Sequence, residues 1–195
     1  QALAGEPRRA NPRRLLPNCS RDALPFRTMS VVPPLIALAG GVVPGPLLNL
    51  MPELCPLKAL LGSVFLYNMP HMVRMFYIHK GGDKLDNINP REQVQKLCAS
   101  GKGDMISKAQ SAHQNGLESF PPFAAGVLAA TIAGVPGSLV GQLCSTHLFA
   151  RLGFNITYIW GKGDATAAIR SSFWVLSLLC SCQLIAAASK KLGSK

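Results

Sequence analysis

Long stretches without a charged side chain alternate with short polar segments in the second half of the chain. Residues 171–189 carry no charge, and residues 119–150 carry none and are interrupted only by turn-forming glycines and a proline at 134–137. Each stretch meets the criterion of roughly 18 apolar residues for a membrane-spanning helix. Together with two less apolar stretches, this pattern predicts four spanning helices, at about residues 57–78, 108–133, 135–160 and 167–189.

The second predicted helix opens with a polar stripe. Its members are spaced i, i+3, i+7 and i+10 and therefore share one face of a helix: Lys108, Ser111, Asn115 and Glu118. Pro121 and Pro122 follow directly. Because proline has no N–H, these two residues leave two carbonyl groups of the preceding turn without a helical partner. We therefore predict a kink near Pro121.

Glu118 lies at a depth where an ionised group is costly unless it has a partner or a function. The third predicted helix presents Arg151, Asn155 and Tyr158 on one face, at i, i+4 and i+7. We therefore expect Glu118 to accept a charge-assisted hydrogen bond from Arg151 or Arg170.

Residues 28–52 are also uncharged, but they contain five prolines and three glycines. A spanning helix interrupted in this way would leave carbonyl groups unpaired in lipid. We therefore predict an extended or short-helical segment that lies along the protein or in the interface. The chain then divides into an irregular Pro/Arg-rich N-terminal arm at 1–56, an all-α, integral membrane four-helix bundle at 57–189, and a basic tail at 190–195.

The composition supports a membrane protein. Of the 195 residues, 48% are hydrophobic and 15% are charged, against about 25% charged in a typical soluble domain. The formal net charge is +11, but no nucleic-acid-binding motif accompanies it, so contact with anionic lipid headgroups or an acidic partner fits better. The Arg-rich, acid-poor arm is similar to a transit sequence, which favours an organellar membrane, plastid or mitochondrial, with the endoplasmic reticulum as the alternative.

Cysteine and histidine give no sign of a metal site. The six cysteines form no CxxC pair and no zinc spacing, and the four histidines are scattered. We expect neither a disulfide framework nor a bound metal. Arg74, which interrupts the first predicted helix, is interpreted as a snorkelling or helix-pairing residue.

Residues 112–124 resemble the second helix of the MAPEG family, the membrane-associated proteins in eicosanoid and glutathione metabolism. The family pattern there is Ala-x-x-Asn-x-x-Glu-x-x-Pro-x-Phe, and the chain matches it with Ala112, Asn115, Glu118, Pro121 and Phe123. Three further pairs are similar to family motifs: Arg151 and Tyr158, Arg170 and Ser171, Asn89 and Pro90. The resemblance covers about residues 57–189.

The resemblance implies a homotrimer that binds glutathione between neighbouring subunits near one membrane face. It assigns catalytic positions to Arg170, which would stabilise the thiolate, to its neighbour Ser171, and to Tyr158 near the thiol. It assigns glutathione binding to four further residues: Lys108, Asn115, Glu118 and Arg151. The implied activity is that of a glutathione transferase or peroxidase that acts on lipophilic electrophiles.

Two positions depart from the family pattern. Some members have an arginine where this chain has Ser111 and a glutamate where it has Ser107, and a serine cannot form a bidentate ion pair with a carboxylate. This departure favours a second hypothesis, a non-catalytic accessory subunit that keeps the fold and joins a large respiratory or photosynthetic membrane complex through residues 1–56. A lipid-binding or scaffold protein is the third.

Overall fold

The computed structural model describes residues 42–101 and 103–194, and in this part of the chain it contains helices and no strand. In chain order the helices are α1 (Gly45–Leu50), α2 (Pro56–Lys80), α3 (Pro90–Ala99), α4 (Asp104–Ala133), α5 (Gly137–Trp160) and α6 (Asp164–Gly193). The predicted all-α class is confirmed. Residues 1–41, which make up most of the predicted arm, lie outside the described residues, as do Lys102 and Lys195.

Among the described helices, α4 and α6 are long and apolar enough to cross a membrane. Helices α2 and α5 are nearly as long, with 25 and 24 residues. Both hold buried arginine inside the helix, Arg74 in α2 and Arg151 in α5. The structure turns both arginines inward. Of the four predicted spanning helices, two therefore meet the length and hydropathy criterion for a membrane span.

The long helices pack side by side in alternating directions. His147 of α5 stacks on Phe123 of α4, with the ring centroids 3.6 Å apart. Its Nδ1 also lies 3.1 Å from the carbonyl oxygen of Ser177 in α6, so one buried side chain joins three helices. A Cβ at Gly126 of α4 would lie 3.1 Å from the Leu184 Cβ. Glycine at this position therefore allows α4 and α6 to approach closely.

A proline inside α2 leaves one carbonyl group without its helical hydrogen bond, and a side chain of α5 supplies the missing donor. Pro70 is buried within α2 and has no N–H to donate to the carbonyl of Leu66, four residues earlier. The Nδ2 of Asn155 donates to that oxygen instead, at 2.8 Å. In α4, the helix continues through Pro121 and Pro122 to Ala133. Helix α4 ends at Ala133 and is capped by Gly134, whose φ of 73° is the left-handed conformation that glycine adopts most readily.

Residues 42–54 lie along the sides of α5 and α6, as expected for a short-helical segment packed on the protein. The backbone N–H of Val43 donates to Gln183 Oε1 at 2.9 Å, and the Ser145 hydroxyl donates to the carbonyl of Pro52 at 2.6 Å. A Cβ at Gly141 would lie 3.0 Å from the backbone N and O of Leu54. Glycine therefore makes room for this segment against α5.

Helix α3 was not among the predicted elements. It lies in the polar connection between the first two predicted spans, and it packs on α2 and α4 through Leu97, Ile78 and Ile106. The signals for it were present in the sequence. Asn89 precedes Pro90 at the first helical position, a common start for a helix, and Val94 and Leu97 then fall on one face.

Candidate functional site

The site is built around a buried arginine in the middle of α5. Arg151 is 4% exposed, and its Nη1 donates to Asn115 Oδ1 of α4 at 2.9 Å. Its guanidinium carbon lies 4.5 Å from the centroid of the Phe154 ring. Its Nη2 is buried and has no hydrogen-bond partner in the structure. Arg151 therefore has one amide partner and one free donor.

A second arginine, from α6, lies against the ring of Tyr158, which is two turns after Arg151 on α5. Arg170 of α6 is half-buried, and its guanidinium carbon is 4.6 Å from the Tyr158 ring centroid. The rings of Tyr158 and Phe154 are 5.3 Å apart. Arg151 and Arg170 are thus linked through two aromatic rings. The structure brings together Asn115, Arg151, Tyr158 and Arg170 from the predicted set.

The predicted ion pair of Glu118 with Arg151 or Arg170 is wrong among the residues that the structure describes. Glu118 is exposed, and its Oε1 accepts a hydrogen bond from Gln114 Nε2 at 3.2 Å. In the part of the chain that the structure describes, Glu118 forms no salt bridge. The reason is geometric, because Asn115, which points inward, takes the hydrogen bond of Arg151. Glu118 is exposed at the edge of α4 that faces α6 instead.

Two other predicted residues have local partners. Lys108 Nζ forms an ion pair with Asp104 Oδ2 of the preceding turn, at 2.9 Å. The Ser171 hydroxyl donates to the carbonyl of Ala167 within α6, at 3.0 Å. The hydrogen bonds and ion pairs of Lys108 and Ser171 among the described residues do not involve Arg151 or Tyr158. Ser111, at the position of a family arginine, is exposed.

A cleft of about 150 Å³ opens between α4 and α6 beside these residues. Its lining is Asn115, Glu118, Ser119 and Pro122 from α4, and Trp174, Ser177, Leu178 and Ser181 from α6. The hydroxyl of Ser177 donates to the Trp174 carbonyl at 2.8 Å. It therefore faces the cleft as a hydrogen-bond acceptor only. Arg170 lies one turn before Trp174 on the same helix and is not among the residues that line the cleft.

The charges of the site favour an anionic ligand. Within the described residues, the two ion pairs are Lys96 with Glu92 and Lys108 with Asp104, so neither Arg151 nor Arg170 has a carboxylate partner. A buried cation without a counter-charge is costly. The unpartnered Nη2 of Arg151 is the buried donor that an anionic group would satisfy. Among the described residues, no cluster of three histidine, cysteine or acidic side chains is placed to hold a metal.

Sequence reasoning missed Phe154 as part of the site. Phe154 is 3% exposed and lies between the Arg151 guanidinium and the Tyr158 ring. The signal was its spacing, three residues after Arg151 and four before Tyr158, which places all three on one helix face. Gln110 was missed as well. It forms a hydrogen bond with Arg74 Nη1, at 2.5 Å.

Comparison with known proteins gives one match. The model of the MAPEG family matches residues 58–189, which is the part of the chain that forms α2 to α6. No curated protein and no solved structure matches the chain.

Proposed function

The chain belongs to the MAPEG family and is an integral membrane protein, and on this premise we propose that it binds glutathione. We propose further that it transfers the thiol to lipophilic electrophiles that arrive from the bilayer, or uses it to reduce them. The observation that carries this proposal is Arg151, buried at 4% exposure with a free Nη2 and no carboxylate partner among the described residues.

The residues of the site have separate tasks in this proposal. Asn115 accepts from Nη1 of Arg151 at 2.9 Å, which fixes the plane of the guanidinium and leaves Nη2 for a ligand carboxylate. Arg170 places positive charge beside Tyr158, and positive charge lowers the pKa of a nearby thiol. The Tyr158 hydroxyl is the donor available to a developing thiolate. Glutathione, when bound, would supply the nucleophilic sulfur.

A homotrimer is part of the proposal, since a second copy of the chain would cover the exposed carboxylate of α4. Glu118 is exposed in a helix that is apolar enough to span a membrane. Lipid is a poor environment for an ionised side chain. A neighbouring subunit, rather than lipid, would therefore contact this face. Membrane fractionation of the source cells, with organellar and endoplasmic reticulum markers, decides where the trimer resides.

Calorimetry on the detergent-purified full chain tests the proposal. We expect glutathione to bind, and thiolate absorbance to appear on binding. Arg170→Ala should abolish the thiolate signal, and Arg151→Gln should weaken binding about tenfold or more, since one charge-assisted hydrogen bond is worth about 1.5–3 kcal/mol. The matched control is Arg91→Ala, which removes an exposed arginine of α3. Wild-type protein that binds no glutathione at millimolar concentration contradicts the proposal.

A second candidate function rests on Lys108 and Ser111. Lys108 is paired with Asp104, and Ser111 provides no charge, so two positions that the family resemblance assigned to ligand charge are not available for it. We propose as the alternative a non-catalytic accessory subunit of a respiratory or photosynthetic complex. Deletion of residues 1–30, which carry six arginines and two acids, should then release the chain from its complex on native gels. Unchanged migration after the deletion argues against this alternative.

A further inference from the structure

A second cavity lies between the last turns of α2 and the start of α3, away from the cleft between α4 and α6. Its volume is about 210 Å³. The last turns of α2 and the connection to α3 form its walls, with His71, Arg74, Met75, Ile78, Leu85 and Asn87 among the lining residues. None of its lining residues belongs to the cleft described above. It is therefore a separate space in the same bundle.

Arg74 is the charged residue of this cavity. It is 9% exposed, so it does not snorkel to water as a long cationic side chain in a membrane helix often does. Its Nη1 forms a hydrogen bond with Gln110 Oε1 of α4, at 2.5 Å, which confirms the helix-pairing interpretation. Its Nε is buried without a hydrogen-bond partner. Arg74 forms no salt bridge within the described residues, and no carboxylate lines the cavity.

His71 adds a second donor on the same face of α2, one turn before Arg74. Its ring centroid lies 5.3 Å from that of His113. His113 in turn forms a hydrogen bond through Nδ1 with the carbonyl of Tyr67, at 2.6 Å. His71 and Arg74 both line the cavity. The two side chains together present N–H groups and no acceptor with negative charge.

The opposite wall of the cavity is held in place by hydrogen bonds of its own. Gln93 Oε1 accepts from the backbone N–H of Asp86 at 3.0 Å, and Gln93 Nε2 donates to the Lys84 carbonyl at 2.6 Å. Asp86 Oδ1 accepts from the N–H groups of Ile88 and Asn89, each at 2.9 Å. The connection between α2 and α3 is therefore ordered before any ligand arrives, and binding does not have to fix it.

On the expectation that α2 spans the membrane, the cavity would lie near the level of the lipid headgroups. Arg74 precedes Lys80, the last residue of α2, by six positions, which corresponds to about 9 Å along the helix. The polar and interfacial region of a bilayer is about 5–8 Å thick on each side of the hydrocarbon core, so Arg74 would lie near its inner boundary. Met75, Ile78 and Leu85 give the cavity an apolar side. A phosphate with an attached glycerol and acyl chain meets both kinds of surface there.

We infer that this cavity binds a phosphate-type oxyanion through Arg74 and His71, supplied by an anionic phospholipid. The free Nε of the buried guanidinium is satisfied by a phosphate oxygen, and the charge of Arg74 is neutralised. Inorganic phosphate has the same chemistry at the oxyanion and lacks the acyl chains. The inference does not depend on glutathione binding, since it rests on residues of α2 and of the connection to α3.

Native mass spectrometry of the detergent-purified full chain tests this inference. The protein is offered phosphatidic acid and phosphatidylcholine at equal concentration, and the retained lipids are counted. We expect phosphatidic acid to be retained in preference, and Arg74→Gln to reduce its retention about tenfold or more. The matched control is Arg91→Gln in nearby α3, which should retain phosphatidic acid as the wild type does. Arg74→Lys tests geometry at constant charge, and we expect partial loss.

A second arm separates the two sources of the oxyanion. The melting temperature is measured with inorganic phosphate at constant ionic strength. A rise that is lost in Arg74→Gln supports an oxyanion site and assigns its ligand to free phosphate and not to a phospholipid. Equal retention of both lipids, or phosphatidic acid retention by Arg74→Gln equal to that of the wild type, overturns the inference. So does displacement of phosphatidic acid by glutathione, because the cavity is then part of the glutathione site. Arg170→Ala should lose the thiolate signal and keep the lipid, so the two proposals fail independently.

Discussion

The hydrogen bond between Asn155 and the Leu66 carbonyl gives the sharpest test of how the bundle is held together. Asn155 is 1% exposed, and its Nδ2 reaches the oxygen that Pro70 leaves free, at 2.8 Å. The substitution Asn155→Leu keeps a similar side-chain volume and removes the donor. The carbonyl is then buried without a partner, at a cost of about 1–3 kcal/mol. Because the Asn155 Oδ1 is itself buried and unpartnered, its removal returns part of that cost.

We therefore expect Asn155→Leu to destabilise the protein by about 1–2 kcal/mol, which corresponds to a fall in melting temperature of about 3–6 °C for a chain of this length. Intrinsic tryptophan fluorescence during a thermal scan in detergent measures it. The decisive variant is the double substitution Pro70→Ala with Asn155→Leu. Alanine at position 70 restores an N–H that can donate to Leu66, so the double variant should melt above Asn155→Leu alone.

Asn68→Leu is the matched control, because Asn68 also donates to a helix carbonyl, that of Val64 at 2.9 Å, but from an exposed position. It should change the melting temperature by less than half as much. The reasoning fails if Asn155→Leu melts at the wild-type temperature. It fails equally if Pro70→Ala does not raise the melting temperature in the Asn155→Leu background, since the unpaired Leu66 carbonyl is then not the cause of the destabilisation.

Three further predictions concern other parts of the chain. Gly116→Ala should destabilise the bundle, because its Cβ would lie 2.6 Å from the Tyr67 Cβ, whereas Gly137→Ala meets nothing within 4 Å and should melt like the wild type. Ser145→Ala removes the donor to the Pro52 carbonyl and should speed amide hydrogen exchange in residues 42–54 while exchange in α3 stays constant. The backbone N–H groups of Lys58 and Leu57 hold the pKa of the Cys55 thiol below its ordinary value, so its alkylation rate should reach half-maximum at a lower pH than that of a free thiol. Cys55→Ser in a Cys19→Ser background should abolish this fast phase, and a phase that persists refutes the assignment.

Much of the fold could be predicted because apolar runs and prolines leave clear traces in a sequence. The uncharged stretches located α4 and α6, and the prolines of residues 28–52 correctly argued against a spanning helix in the part that the structure describes. Helix α3 was missed because its ten residues carry mostly polar side chains. A short amphipathic helix in a polar connection resembles a loop unless its cap and spacing are examined together.

The sequence predicted which side chains share a helix face better than it predicted which of them pair. The spacing placed Arg151 and Tyr158 on one face, and the structure agrees. The partner of Arg151 could not be read from the sequence. Asn115 and Glu118 are neighbours on successive turns of α4, so both are candidates for a hydrogen bond to an arginine of the adjacent helix. A rotation of that helix by a fraction of a turn decides which of them faces α5. Such a rotation is set by packing, here by the contact of Gly116 with Tyr67.

The segment that joins Val43 to Gln183 has a consequence for how the chain is assembled during synthesis. Val43 leaves the ribosome 140 residues before its hydrogen-bond partner, and the Ser145 hydroxyl that binds the Pro52 carbonyl also follows much later. The segment can therefore reach its α5 contacts first, but it cannot complete its docking until the last helix, which carries Gln183, has been inserted. Until then its apolar side chains, Val43 and Leu48, remain accessible to chaperones and proteases. Docking of this early segment thus marks the completion of the bundle, and a chain truncated within α6 would leave it exposed for degradation.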